Sequence, residues 1–365
     1  MKSIFFFTYD LNTGGTEKVV VYLANYFSER NYRVTLLTVS SGNDLKKIIG
    51  SNINLVSLGE RKVMKSIIPL IKFIKKTEVD YFVSNIWPLT LVASCIRLFS
   101  RKTKILLIEH SVLSEEYKNR NFLFKYLQNI SLRIFHNLAH QVVVVSSGIK
   151  EDLIKKGVRS KKISVIHNPI YQSNGQKIIK YPPNIESWLD TKSKKIINVG
   201  KLKEVKNLPN LVKAISCFQK KFNYQLKVLI LGEGEERRLI EDIISQEGLE
   251  ENILLPGQVD DPMPFLEKAD LFVLSSDYEG FGLVIAEALS VGLNVVSTDC
   301  LSGPREILND GEYGFLCKVN DPVDLASTIK EALDNPKDME KLVNRSKDFS
   351  IDVIGRQYKR ILEEI

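Results

Sequence analysis

At 365 residues, with 44% hydrophobic and 26% charged residues, the chain is too long for one ordinary core, and we expect two globular domains of roughly 170 to 190 residues each. Its mean hydropathy of −0.07 and the lack of an apolar window of transmembrane length argue against a membrane-spanning protein. Four widely spaced cysteines without a CxxC pair argue against a disulfide scaffold or a zinc site and favour a reducing compartment. The apolar residues 4–7 are too few for the core of a signal peptide, so we expect a cytoplasmic protein.

Charge is distributed unequally along the chain. Residues 1–170 carry 26 Lys and Arg against 12 Asp and Glu, a net charge of +14, whereas residues 171–365 carry 25 against 32, a net charge of −7. A strongly basic half favours an anionic surface, either nucleic acid or the cytoplasmic leaflet of a membrane. Because this half lacks a recognisable nucleic-acid-binding module, we expect no nucleic-acid partner.

The first half alternates apolar strands with helical stretches. We predict strands at residues 3–8, 33–39, 80–84, 104–108 and 141–145, which favours a parallel sheet with helices on both faces. A glycine-rich turn at 12–17 leads into a helix at 18–30, where Gly14 and Gly15 would let a phosphate or sugar approach the helix N-terminus. The turn is not GxGxxG, which does not favour a nicotinamide cofactor. A Gly-Gly turn is also common where no ligand binds.

Histidines mark a second possible site in this half. His110 lies two residues after the strand 104–108, and ligands of parallel sheets bind beyond the carboxyl ends of the strands. His136 and His140 are spaced i, i+4 on a predicted helix. They lack a third ligand or a nearby acidic signature, so we expect no metal there.

Two stretches of the basic half combine apolar and basic residues. In residues 61–76 the apolar side chains recur at helical spacing and lysines gather on the other face, and residues 118–136 are likewise apolar, aromatic and basic. One interpretation is a core-facing helix with a solvated lysine face, which fits Pro69 because proline kinks a free helix. The other is docking of one or both stretches on anionic lipid, which the net charge favours.

A proline- and glycine-containing segment at 171–190 predicts a linker, after which a second α/β series begins. Its strands are predicted at 195–199, 226–231, 253–255, 270–274 and 294–298. Several of these strands end at glycine, as expected where a ligand crosses the edge of a sheet. Lys201 and Lys206 follow the first of them and are candidates to bind a diphosphate.

Residues 275–305 contain the most informative pattern in the chain. Glu279, Gly280, Phe281 and Gly282 lie between a buried strand and a helix, a position where backbone amides can donate hydrogen bonds to a phosphate. Glu279 belongs to the loop, and Glu287 lies about two turns along the helix. Two carboxylates can accept hydrogen bonds from hydroxyl groups on either side of a diphosphate site. This arrangement suits a nucleotide sugar. The alternative is a surface loop with two ordinary glutamates.

The motifs in order resemble those of the retaining glycosyltransferases of the two-domain GT-B fold, family 4 or glycosyltransferase group 1. They are the turn at 14–17, His110, the triplet at 167–169, Gly200 with Lys201 and Lys206, the triplet at 232–234, and the Glu279/Glu287 pair. The resemblance covers nearly the whole chain. It is strongest to bacterial enzymes that extend lipid-linked O-antigen, capsule or N-glycan precursors.

This resemblance implies an α/β fold of two Rossmann-like domains that face each other across a cleft. Residues 1–170 would bind the acceptor, 171–190 would be the linker, 191–349 would bind the nucleotide sugar, and 350–365 would form a helix that returns to the first domain. The implied acceptor is a polyprenyl-diphosphate-linked glycan. The protein would lie on the anionic inner face of the cytoplasmic membrane as a peripheral protein.

The resemblance also implies roles for individual residues. Lys201 and Lys206 would stabilise the leaving diphosphate, and Glu279 would bind hydroxyls of the donor sugar. His110 would contact that sugar near the reaction centre, and Glu287 would bind the ribose. Lys201 stands where the family commonly has arginine, so the bidentate contact of a guanidinium is lost. The other implied donor-binding residues are Gly14, Gly15, Gly200, Gly232, Val259, Phe281, Gly282 and Leu283.

The expected reaction is front-face attack by the acceptor hydroxyl as the diphosphate leaves, with retention of the anomeric configuration. No DxD motif is present, because Asp260 and Asp261 are adjacent, so we expect no required metal ion and no cofactor. A UDP-linked N-acetylhexosamine or hexose is the preferred donor, and GDP-mannose is next. The alternatives are a nucleotide-sugar 2-epimerase of the same fold and a catalytically degenerate nucleotide-sugar-binding protein.

Overall fold

The computed structural model describes residues 1–12, 14–42, 44–170 and 185–365. The chain divides into two structural units. The first unit combines Met1–Tyr171 with Phe349–Ile365, and the second comprises Gln172–Asp348.

In the first unit, the described residues form a sheet of seven parallel strands in the order β3-β2-β1-β4-β5-β6-β7. The sequence of β1, SIFFFT, is buried at all six positions, as expected of a central strand covered on both faces. The strands of this unit are β1 Ser3–Thr8, β2 Arg33–Thr38, β3 Asn54–Ser57, β4 Tyr81–Asn85, β5 Lys104–Glu109, β6 Gln141–Val144 and β7 Ile163–Val165.

Helices connect these parallel strands, and a five-residue π-helix, Leu132–His136, directly continues one of them. The connecting helices are α1 Gly15–Ser28, α2 Ile67–Lys76, α3 Leu89–Cys95, α4 Leu113–Glu116, α5 Phe122–Ser131 and α6 Ser147–Lys155.

The second unit contains six parallel strands within the described residues, in the order β10-β9-β8-β11-β12-β13. This order is that of a doubly wound nucleotide-binding sheet. The strands are β8 Lys194–Val199, β9 Leu226–Leu231, β10 Ile253–Gly257, β11 Leu271–Leu274, β12 Val295–Thr298 and β13 Phe315–Cys317. The helices are α7 Glu186–Leu189, α8 Leu208–Phe222, α9 Arg237–Glu247, α10 Met263–Leu266, α11 Leu283–Ser290, α12 Pro304–Ile307, α13 Pro322–Asp334 and α14 Met339–Ser346.

The C-terminal helix, α15 Ile351–Glu364, belongs to the first unit. Arg30, just beyond the end of α1, donates to Asp352 at 2.7 Å. Gly355 lies so close to the Tyr26 ring that a Cβ atom there would be 2.6 Å from it. The absence of a side chain at Gly355 therefore allows α15 to lie directly against α1.

All ten predicted strands are present, with ends within two residues of the predicted ones, and the prediction of an α/β fold with two parallel sheets is confirmed. Three strands were not predicted: β3, β7 and β13. The helix predicted at 18–30 begins earlier, at Gly15. Within the predicted linker, residues 171–184 lie outside the described part of the chain, whereas α7 presents a fully buried Trp188 to the core of the second unit.

Candidate active site

The strand order of the second sheet predicts a crevice between the carboxyl ends of β8 and β11. The chain runs from β8 outward to β9 and β10, and then returns to β11 on the opposite side of β8. At such a reversal of strand order the following loops diverge and leave space for a ligand. The loop after β8 carries Gly200, Lys201 and Lys206, and the loop after β11 carries Glu279.

These two loops meet through an ion pair. Lys206 Nζ lies 2.6 Å from Glu279 Oε1, and Ser276 Oγ donates to the same oxygen at 2.6 Å. The Glu279 side chain is 10% exposed and the Lys206 side chain 24%. A carboxylate this buried requires charged or hydrogen-bonding partners, and here it has both.

Backbone and side-chain hydrogen bonds fix the same two loops around the ion pair. Ser275 Oγ donates to the Lys206 carbonyl at 2.9 Å, and the Asp277 amide donates to the Val205 carbonyl at 2.9 Å. Asn207 Nδ2 donates to Asp277 Oδ1 at 2.7 Å. The positions of Lys206 and Glu279 are therefore set before any ligand binds.

Glycines allow neighbouring loops to approach this crevice closely. Gly232 has φ of +152°, and a Cβ atom there would lie 1.8 Å from the Gly200 carbonyl oxygen. The fold itself thus requires Gly232, which was predicted as a ligand-approach residue. Gly303, which was not predicted, is required in the same way, because its Cβ would lie 2.1 Å from the Phe281 carbonyl oxygen. Its position after a short turn gave no distinctive signal in the sequence.

The other predicted residues of this unit occupy the same edge of the sheet. Gly282, with φ of +88°, precedes the first residue of α11, Leu283, and Phe281 is buried beside it. The first turn of a helix leaves backbone amides without intrahelical acceptors, which suits a phosphate. Glu287 is half-buried on α11, and Val259 is half-buried two residues beyond the end of β10. Lys201 is exposed and does not take part in the Lys206–Glu279 ion pair.

His110, Gly14 and Gly15 belong to the first unit. Gly14 precedes α1 in an extended conformation, and a Cβ atom on Gly15 would meet no atom within 4 Å. Packing within the described residues therefore does not require glycine at position 15. Thr13 of the same predicted turn lies outside the described residues.

The His110 imidazole is buried at the carboxyl end of β5. Its Nε2 lies 3.1 Å from Asn85 Oδ1, a contact in which Nε2–H donates. Burial lowers the pKa of His110 from 6.5 to about 3, and the Asn168 side chain opposes this shift only in part. His110 is therefore neutral at physiological pH and can act through hydrogen bonds rather than through a positive charge.

The i, i+4 histidines do not face one another as a metal pair. His136 Nε2 contacts Glu109 Oε1 at 2.8 Å, and His140 Nδ1 accepts from the Ile105 amide at 2.9 Å. In the described part of the chain, no group of three or more His, Cys, Asp or Glu side chains could hold a metal ion. None of the described helices is long and apolar enough to span a membrane.

Family models match both halves of the chain. The model described as Glycosyltransferase Family 4 matches residues 13–173, and the model described as Glycosyl transferases group 1 matches residues 184–349. Together they extend over nearly the whole sequence. The chain belongs to the family 4 glycosyltransferases of the GT-B fold and is a glycosyltransferase.

Two relatives from Campylobacter jejuni resemble the chain over almost its full length. One, N-acetylgalactosamine-N,N'-diacetylbacillosaminyl-diphospho-undecaprenol 4-alpha-N-acetylgalactosaminyltransferase, is 26% identical over 95% of this chain and 94% of its own length. The other, GalNAc-alpha-(1->4)-GalNAc-alpha-(1->3)-diNAcBac-PP-undecaprenol alpha-1,4-N-acetyl-D-galactosaminyltransferase, is 24% identical over 100% and 99%. Both names are those of transferases, which does not favour the epimerase or the binding-protein alternative.

The crystal structure of HepE from Anabaena in complex with UDP-glucose has the same fold. It aligns with a TM-score of 0.80 over 100% of both chains at 19% identity.

We predict that the His110 ring does not titrate between about pH 5 and pH 8, the range in which an unperturbed histidine does. Its folded-state pKa lies below the unfolded value, so the unfolded chain binds more protons as the pH falls below 6.5. His110 therefore costs stability in acid and not at neutral pH. The measurement is a proton–carbon NMR titration of histidine-labelled protein, with His110→Gln to assign the signal. A midpoint near 6.5 for His110 would show that the ring is solvated.

Proposed function

We propose that this enzyme transfers a hexose or N-acetylhexosamine from a UDP-sugar to a polyprenyl-diphosphate-linked glycan, with retention of configuration. The reaction would serve bacterial surface polysaccharide synthesis at the inner face of the cytoplasmic membrane. The observation that carries the proposal is the Lys206–Glu279 contact of 2.6 Å between the ends of β8 and β11. This contact supports the proposal because Lys206 would be a cation for the diphosphate and Glu279 beside it would be a carboxylate for sugar hydroxyls.

The choice of donor and acceptor is supported by the relatives and the structural neighbour. HepE was crystallised with UDP-glucose, and both Campylobacter names describe N-acetylgalactosaminyltransferases with undecaprenol-linked glycans. Both names also specify an alpha linkage. Retention would give such a linkage from an alpha-linked nucleotide sugar.

In the proposed reaction, the acceptor hydroxyl attacks the anomeric carbon from the face that the diphosphate leaves. The bond from the anomeric carbon to the diphosphate oxygen breaks as the new glycosidic bond forms, and the departing phosphate takes the proton of the hydroxyl. Lys206, Lys201 and the amides of Phe281 to Leu283 would stabilise the negative charge that develops on the diphosphate. This assignment requires no metal ion.

His110 and Glu279 would position the donor sugar rather than react with it. Because the Nε2–H of the neutral imidazole is bound to Asn85, Nδ1 is the ring atom left to accept a hydrogen bond, and it is buried. Glu279 is fixed by Lys206 and Ser276 and would accept hydrogen bonds from sugar hydroxyls. Glu287 would bind the ribose. Groups held in place before the substrate binds lower the barrier without reorganising during the reaction.

Contact with the membrane is proposed for α5 and its π-helical continuation. Six apolar side chains there are between 38% and 83% exposed and recur along one face of the helix. They are Phe122, Leu123, Tyr126, Leu127, Ile130 and Ile134. Exposed cations lie near the row at Lys118, Arg120 and Arg133. An exposed apolar face with flanking cations suits the surface of an anionic bilayer.

We propose less contact with the membrane for the other predicted stretch, residues 61–76. Leu70 and Ile74 of α2 are buried at 1% and 6% exposure, which favours the core-facing interpretation of that helix. Met64 and Ile68 remain exposed, but they do not form a row comparable to that of α5.

We predict that Glu279→Ala lowers transfer by about 10² to 10³-fold, the range found when one preorganised polar group is removed from an active site. A panel of radiolabelled UDP-sugars with membrane extracts that contain lipid-linked glycans provides the assay. Glu287→Ala should have a milder effect, because it would contact the ribose and not the sugar that is transferred.

The matched control is Glu247→Ala. Glu247 accepts from Ser216 at 2.6 Å and from Lys220 at 3.3 Å, so it has the same kinds of partner as Glu279 but lies away from the crevice. Near-normal turnover of Glu279→Ala, with Glu247→Ala equally active, would refute the assignment of the donor site.

We also predict that the protein floats with phosphatidylglycerol vesicles in a density gradient. The double variant Leu123→Glu, Leu127→Glu should remain in the soluble fraction, because it places two negative charges in the apolar row. The control Leu239→Glu, Val323→Glu makes the same charge change at two exposed apolar residues of the second unit and should still float. Wild-type protein that stays entirely soluble would contradict membrane contact.

A further inference from the structure

A buried carboxylate in the first unit has no place in the reaction described above. Glu109, the last residue of β5, and His136, the last residue of the π-helix, are both fully buried. Glu109 Oε1 contacts His136 Nε2 at 2.8 Å and accepts from Thr90 Oγ1 at 2.8 Å. Glu109 Oε2 accepts from the Trp87 amide at 3.1 Å. We call these four residues the Glu109 cluster.

The cluster is not explained by stability alone. Three donors satisfy the Glu109 carboxylate, but removing a carboxylate from water is costly even when it is well paired. Apolar residues of similar volume often replace a buried ion pair without loss of stability. The specific geometry that the charge imposes is therefore the property to explain.

The cluster joins the segments that hold His110. Glu109 immediately precedes His110, and alternation along a strand directs their side chains to opposite faces. Trp87 lies two residues after Asn85, which contacts the His110 ring. By accepting from the Trp87 amide, the Glu109 carboxylate links the segment that carries His110 to the segment that carries Asn85.

The same cluster attaches α5. His136 ends the π-helix that continues α5, so its contact with Glu109 fixes that end of the helix. Trp87 adds two more links, because its indole Nε1–H donates to Ser131 at 3.3 Å and its ring packs edge-on against Phe124 at 5.9 Å. The helix with the exposed apolar row is therefore bound to the two segments that carry His110 and Asn85.

We propose that Glu109 is a positioning residue for transfer, resting on the function proposed above. Through His136 and Trp87 it holds α5 at a fixed distance and angle from His110. A lipid-linked acceptor whose prenyl end lies with α5 in the bilayer then presents its terminal hydroxyl at the reaction centre. An acceptor that is free in solution does not need this fixed relation.

The test compares two acceptors in the same variants. One is the polyprenyl-diphosphate glycan in phosphatidylglycerol vesicles, and the other is a short-chain, water-soluble analogue of it. Glu109→Gln should lower the ratio of kcat/KM for the vesicle acceptor to kcat/KM for the soluble one by about 10²-fold, the effect of a misplacement of about 1 Å. The affinity for UDP should not change, because the residues proposed to bind the diphosphate and the ribose lie in the second unit.

If Glu109→Gln folds poorly, variants of His136 test the same contact. His136→Leu removes the donor and should lower the same ratio, whereas His136→Gln retains an N–H donor and should restore most of it. Hydrogen–deuterium exchange of residues 122–136 gives a readout without activity, and it should rise in Glu109→Gln and His136→Leu.

The matched control is Thr103→Val, at the opposite end of β5. Thr103 is buried and donates to the Val79 carbonyl at 2.9 Å, so its loss destabilises the same sheet without touching α5. The ratio should be unchanged in this variant. An unchanged ratio in Glu109→Gln and His136→Leu, or no rescue by His136→Gln, would overturn the positioning role. Wild-type protein that transfers to neither acceptor would instead overturn the proposed function, and this role with it.

Discussion

The ion pair between Lys206 and Glu279 is the interaction on which the donor site depends. Its two members come from loops that follow different strands, 73 residues apart in the sequence. Removing one partner of a buried pair is costly, about 3 to 5 kcal/mol, because the other charge is left without compensation. The pair therefore holds the crevice between β8 and β11 in one geometry. The close approach of Gly232 to the Gly200 carbonyl has the same consequence, since no side chain fits there.

The first unit also has a buried carboxylate at the carboxyl end of a parallel strand. Glu109 lies at the carboxyl end of β5, and its hydrogen bonds reach the turn after β4 and the end of the π-helix. Both units thus use a carboxylate to fix the segments that follow parallel strands. In the second unit the carboxylate itself would meet the donor sugar, whereas in the first it acts through His110 and α5. This division agrees with the distribution of charge, since the basic half would face the membrane and the acidic half would bind the nucleotide sugar.

Strong local patterns made much of the fold predictable. The apolar runs of β1 and β6 are strands by composition alone, whereas β3 is partly polar and β13 has only three residues. The glycines and Glu279 were predicted from their position between a strand and a helix. The contact of Glu279 with Lys206 could not be read locally, because it depends on strand order. His136 and His140 resembled a pair by spacing, yet the π-helix directs His136 to Glu109 while His140 accepts from the Ile105 amide.

We propose that the crevice between β8 and β11 binds a nucleotide sugar whose base is uracil. The most direct measurement is the thermal unfolding of the wild-type protein with UDP, GDP, ADP and their common sugar conjugates. A ligand that binds only the folded state at about one hundred times its Kd adds about 2.7 kcal/mol of stability. We predict a selective rise in Tm with UDP and one or more UDP-sugars. A shift with GDP or ADP conjugates alone, or with none of the nucleotides, would contradict it.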